Sequence, residues 1–347
     1  MKIITKKDFI LAVSMLFVVL NVSAQKKTSS DYTDATVTYS RLPLKPLDPS
    51  IKTYNSIVKV VGGDIREEPN DLAKEYLRIG GLEKTSENPD ITFKITLKGY
   101  ELESKKAVEK VGLRNVSSYV MVLKSLYPMR LEVLDKSGKE IYTETISENS
   151  KSYDYELPTA HTTPGAAEKE YENSPKEYKK NAEAKITPLL FNKVKELLEG
   201  NYSVTSIKKV VKIGVASGKG HDFADITKAK TKVTAAFAAY NAENFAEADK
   251  NFAEAVEIYK KAVKEANLED DKARVGRRVA AMLHYNLALC YTFMKDYKNA
   301  DLSITQAGDI AKEIKVGIFG SDDSKSNVAL FAPFIEDQRK RQEAGKK

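Results

Sequence analysis

Ala235-Ala236-Phe237-Ala238-Ala239-Tyr240 and then Asn244-Phe245-Ala246-Glu247-Ala248 return, further along, as His284-Tyr285-Asn286-Leu287-Ala288-Leu289-Cys290-Tyr291 and then Asp296-Tyr297-Lys298-Asn299-Ala300. Phe252 and Ala255 follow the first pair, Ile304 and Ala307 the second. Small residues at fixed offsets allow two helices to approach closely, and an aromatic at the turn fills the space between them. A hairpin of this kind buries its apolar face by stacking on the next one, and stacked hairpins make extended binding surfaces. Working outward, everything from about Asp222 reads as helix, over 222–241, 244–266, 270–294, 298–315 and 325–344.

The two stretches resemble tetratricopeptide repeats. Leu287, Ala288 and Tyr291 occupy the Leu, small and aromatic positions of that family's first helix. Tyr297, Ala300, Ile304 and Ala307 match its second helix, as do Phe245, Ala248, Phe252 and Ala255 in the earlier unit. The turn aromatics Phe245 and Tyr297 stand 52 residues apart, against roughly 34 in a simple tandem. A long second helix and a charged connection, Leu268 to Lys272, account for the excess. The resemblance implies that the first helix of each unit lines a groove for a peptide or partner helix. Its positions here are Lys230, Val233, Phe237, Tyr240 and Asn241, then Met282, Tyr285, Leu289, Thr292 and Phe293. The alternative is that a terminal helix carrying Val328, Leu330, Phe331, Phe334 and Ile335 caps the stack and buries them.

Upstream of the helices the pattern changes to period two. Ile91, Phe93, Ile95 and Leu97 alternate with Thr92, Lys94, Thr96 and Lys98, which marks a half-buried strand. Met129 to Val133 and Ile141 to Ile146 flank a Ser137-Gly138 turn as a hairpin. Thr36–Arg41, Tyr54–Val61, Ser118–Leu123 and Val204–Val215 complete the expected strands, with antiparallel pairing as the rule. Pro69-Asn70-Asp71 opens a short helix, and Tyr178 to Leu197 carries a helical stripe that Pro188 should kink or restart. Residues 148–175, polar and holding Pro158, Pro164 and Pro175, read as a long loop.

The fold class is therefore α+β: a mostly antiparallel sheet with one or two packed helices over 35–216, then an all-α helical-hairpin domain over 221–347. Gly214, Gly218 and Gly220 supply the expected boundary. Residues 1–24 read as a signal peptide, with Lys2, Lys6 and Lys7 ahead of the apolar run Phe9–Leu20 and small residues Val22-Ser23-Ala24 before Gln25. Val22-Ser23-Ala24-Gln25 resembles cleavage sites common in Bacteroidota envelope proteins. Residues 25–34 read as a flexible lead-in. No other long apolar run follows, so no transmembrane segment is expected after cleavage.

The formal charge of +7 is dispersed among acidic residues, without the basic block and interleaved aromatics of a nucleic-acid binder. Cys290, alone, reads as a small core residue. His161, His221 and His284 are far apart; His221-Asp222 with Asp225 reads as a helix cap rather than a metal site. Gly214 to Lys219 lacks the spacing of a phosphate loop. No catalytic, cofactor or metal residues are assigned. The expectation is an exported, non-catalytic adaptor of the bacterial cell envelope, periplasmic or outer-membrane associated, that holds a protein or peptide. The alternative is a carbohydrate-active or hydrolytic protein using Tyr153, Asp154, Tyr155 and Glu156 in the 148–175 segment.

Overall fold

The computed structural model describes residues 28–62, 65, 67–112, 116–314 and 323–346, so the expected signal peptide lies outside the described residues. In chain order the strands are β1 (Ser29–Arg41), β2 (Thr53–Val60), β3 (Glu83–Lys84), β4 (Ile91–Leu97), β5 (Glu101–Val111), β6 (Ser117–Leu126), β7 (Met129–Asp135), β8 (Glu140–Ser147), β9 (Ser152–Glu156) and β10 (Thr205–Ser217). The helices are α1 (Pro69–Tyr76), α2 (Pro164–Asn173), α3 (Pro175–Tyr202), α4 (Ala224–Asn241), α5 (Phe245–Val263), α6 (Arg277–Phe293), α7 (Tyr297–Lys312) and α8 (Asp323–Ala344). The protein is α+β, and its chain divides into two compact units. One is Leu42–Thr205; the other takes the residues up to Arg41 and from Ser206 onward.

In the first unit a five-stranded sheet runs β3-β2-β4-β7-β8 and a three-stranded one β5-β6-β9. Alternation in β4 puts Ile91, Phe93, Ile95 and Leu97 in a core shared with Leu131 and Val133 of β7. Leu72 and Tyr76 of α1, with Leu190, Phe191 and Val194 of α3, pack into the same core. The pairing is not antiparallel throughout. β2 runs parallel to β4, from Tyr54↔Ile91 to Val60↔Leu97, and parallel to β3. Parallel neighbours need a long crossover, and the segment carrying α1 supplies it.

The 148–175 segment is a strand and a helix rather than a loop. β9 pairs with β6, and Thr163 caps α2, its Oγ1 accepting from the Ala166 N–H at 3.3 Å. Nor does Pro188 interrupt α3, which runs unbroken through it. Its buried residues Ile186, Leu190, Phe191 and Val194, and the contact of Thr187 Oγ1 with the Tyr127 hydroxyl at 3.2 Å, anchor the helix on both sides of the missing donor.

The second unit corrects the expected boundary near 216–221. Their pattern predicts that β1 and β10 belong to the sheet domain, yet they pair with each other. Ser29 meets Ser217, Thr33 meets Ile213 and Asp34 meets Lys212, so the numbers run in opposite senses and the ribbon is antiparallel. Its inward residues Val37, Tyr39, Val211 and Ile213 are buried in the core of the helices. The expected flexible lead-in is likewise strand from Ser29, and the preceding Thr28 is tied to the Asp271 carbonyl. The chain thus leaves the helical unit at Arg41 and returns at Ser206, with the α+β unit inserted between two paired strands.

The two helical hairpins repeat at the level of the backbone. Glu243 (φ 58°) and Lys295 (φ 61°) each adopt the left-handed conformation. Asn244 and Asp296 then cap the next helix, accepting from the N–H of Glu247 and Asn299. Between the hairpins, Arg274 clasps the connecting segment by pairing with Asp225 and Glu265 and donating to the Asp222 carbonyl. Among the described residues no helix is long and apolar enough to cross a membrane.

Candidate functional site: the helix face that carries the ribbon

Helices α4 and α6 project the residues that the resemblance nominates, and the ribbon lies against them. Phe237, Tyr240 and Phe293 come together, with ring centroids 5.1 Å apart for Phe237–Phe293 and 5.6 Å for Tyr240–Phe293. Tyr39 of β1 stands edge-on to Phe293 at 6.4 Å and to Phe334 of α8 at 5.5 Å. Seven residues earlier on β1, Tyr32 meets Tyr285 edge-on at 5.6 Å, and Tyr285 meets Phe331 at 5.5 Å. Edge-to-face packing places a positive ring edge on a negative face, adding to the area buried.

Backbone recognition accompanies the rings. Asn241 Nδ2 donates to the Thr36 carbonyl at 3.0 Å, and its Oδ1 accepts from the Thr38 N–H at 2.7 Å. Asn286 does the same for one residue of β10: Oδ1 accepts from the Gly214 N–H at 2.8 Å, and Nδ2 donates to its carbonyl at 3.0 Å. Thr36, Thr38 and Gly214 belong to the alternate set whose polar groups point away from the partner strand. One amide therefore closes the open edge of β1 and the other the open edge of β10. Gly214 also has to be glycine, since a Cβ there would overlap the buried Met282 side chain. Burial pushes the Tyr285 hydroxyl well up, Tyr32 adds to the rise, and a hydrogen bond from the Lys212 backbone opposes it.

The nominated residues thus line a face that the chain itself covers. Val233, Phe237, Met282, Tyr285, Leu289, Thr292 and Phe293 are buried. Tyr240 and Lys230 are half-buried, and Asn241 is exposed beside β1. Thr292 turns its hydroxyl back to the Ala288 carbonyl at 2.7 Å, and Lys230 offers its carbonyl to Thr234. The expected cap by the terminal helix is corrected in part. α8 does cap it through Phe331, Phe334 and Ile335, but Leu330 is 76% exposed, and the strands, which sequence reasoning left elsewhere, fill the rest. Asn286 was missed as a functional position. Its signal was an amide amid apolar neighbours on a core helix, which demands an external polar partner.

The remaining candidates have structural partners. Cys290 is fully buried, and burial pushes its thiol well up. Asp222 caps Ala224, and His221 Nε2 meets the Lys272 carbonyl at 2.7 Å. Asp154 and Glu156 alternate with Tyr153 and Tyr155 along β9, so carboxylates and rings lie on opposite faces. Glu156 pairs with Lys110 at 2.7 Å, and the Tyr153 hydroxyl donates to Ser147.

No protein-family model and no curated protein matches the chain. Among solved structures it is similar to a neuraminyllactose-binding hemagglutinin homolog from Helicobacter pylori, with 13% identity over 44% of this chain and 95% of that one and a TM-score of 0.22. It is also similar to a minor lipoprotein from Acinetobacter baumannii, with 10% identity over 45% of this chain and 96% of that one and a TM-score of 0.17. At such scores neither likeness bears on function.

Proposed function

We propose that this is an exported, non-catalytic assembly protein of the bacterial envelope, with a tetratricopeptide-like helical unit that holds extended polypeptide. One observation carries the reading: two side-chain amides, Asn241 and Asn286, each present a donor and an acceptor to strand backbone beside aromatic rings packed edge to face. Backbone bonds give affinity for any extended chain, and the ring contacts select its side chains. In the free protein the chain's own ribbon occupies this face. A partner segment would enter as a strand in place of β1 or along the half-buried rim at Tyr240. A photo-crosslinking amino acid at position 240, used in envelopes of the native host, should give an adduct with a second protein. Adducts confined to β1 of the same chain would count against the reading.

A further inference from the structure

The open face of the five-stranded sheet carries a recess of about 320 Å³ at the end where β4 and β8 finish. Thr96 of β4, Arg130 of β7 and Thr145 of β8 are register partners side by side across three strands. Ile95, Leu97 and Leu131, chain neighbours of Thr96 and Arg130, are buried in the core, so strand alternation puts those two on the opposite face, and Thr145 joins them as the register partner of Arg130. The register slips here: Met129 pairs with Ser147 and Arg130 with Thr145, leaving Ile146 as the extra residue of a bulge. Bulges bend a strand and re-aim its side chains, and they concentrate beside functional sites.

The lining is polar but charge-compensated. Lys98 Nζ sits 2.6 Å from Glu101, and Arg130 Nη2 sits 2.8 Å from Glu140 while its Nε donates to Thr143. Glu148 adds an acidic rim, so no uncompensated positive field awaits an anion. The Thr145 hydroxyl and the Asn149 amide make no side-chain hydrogen bond among the described residues. Val61, 51% exposed, and Pro128 supply an apolar wall.

We propose that this recess binds a neutral saccharide of one or two rings. Sugar hydroxyls both donate and accept, as the threonine hydroxyl and the asparagine amide do, and the paired cations retain spare N–H groups for charge-assisted bonds. The apolar wall suits the C–H face of a pyranose, and the volume lies within the range of small-molecule sites. The inference is independent of the assembly reading, since it rests on the α+β unit alone.

The test is a titration of the chain from Gln25 onward, followed by ¹H–¹⁵N NMR, with cellobiose, maltose and N-acetylglucosamine. Glucuronate and inorganic phosphate serve as charged controls. The expected result is perturbation at Thr96, Thr145 and Asn149 by at least one neutral sugar and by neither control. Thr145→Val and Asn149→Ala should each weaken that binding about five- to tenfold, the loss of one hydrogen bond, without lowering the unfolding temperature. Silence with all three sugars, equal binding of either control, or affinity unchanged in the double variant would overturn the proposal.

Discussion

Asn286 is fully buried, and its amide is the counterpart of both polar groups of Gly214. Asn286→Leu keeps the volume but strands a buried N–H and a buried carbonyl. Each unmet group costs about 1–3 kcal/mol, so the variant should lose about 2–6 kcal/mol in urea unfolding of the helical unit. An unchanged midpoint would mean that the amide does not hold the ribbon. Glu170 plays the corresponding part in the α+β unit, where its carboxylate lies 2.6 Å from His161 Nε2 and accepts from the Tyr178 hydroxyl at 2.8 Å. Burial opposes its ionisation, but hydrogen bonds from His161, Tyr178 and Thr159 outweigh it, and the carboxyl sits below its ordinary value of 4.5. A depressed carboxylate adds stability that is complete above the unfolded value and is lost as pH falls through the folded one. Glu170→Gln should therefore flatten the acid limb of the stability–pH curve below about pH 4.5. A limb as steep as the parent's would refute that assignment.

At the scale of elements, α8 is the lid on the aromatic cluster. Phe334 contacts Tyr39, Phe293 and Phe331 within 5.5–6.2 Å, so it ties a strand to two helices at once. Phe334→Ala should cost about 3–5 kcal/mol and expose enough apolar surface to raise binding of a hydrophobic dye; a loss under about 1 kcal/mol would mean that the site collapses around the gap. How far such elements could be read depended on whether their cause was local. The alternation of Ile91 to Leu97 and the paired turns at Asn244 and Asp296 carry their signals within a few residues, and both were legible. The parallel pairing of β2 with β4 was not, because period two reports which face is buried and is silent about the neighbouring strand. The same gap hid the content of the helix face. The repeat resemblance implied that Phe237, Tyr240, Tyr285 and Phe293 share one surface, whereas Tyr39 and Tyr32 of β1, which meet Phe293 and Tyr285, lie about 250 residues away and share no pattern with them.

For the whole molecule the decisive fact is the order of the chain. β1 and β10 flank the α+β unit in sequence, and their register continues to Ser40 opposite Ser206, as the pairs Ser29–Ser217 and Asp34–Lys212 require. Arg41 and Thr205 are thus partners across an antiparallel ribbon, close enough for a two-residue turn to join them. Replacing 42–204 with Asn-Gly, which favours the turn type that matches strand twist, converts the ribbon into an ordinary hairpin, keeps its register and leaves every contact of the helical core in place. The excised chain should fold as a helical protein with a single cooperative transition, and 42–205 expressed alone should fold as well, since each unit buries its own core. Circular dichroism and dispersed amide spectra of the two products check this. A helical unit that stays unfolded after excision would show that the ribbon forms only when the inserted unit brings its ends together. In that case the α+β unit would act as the clamp that fixes β1 on the helices, and release of β1 to admit a partner strand would require a change in that unit first.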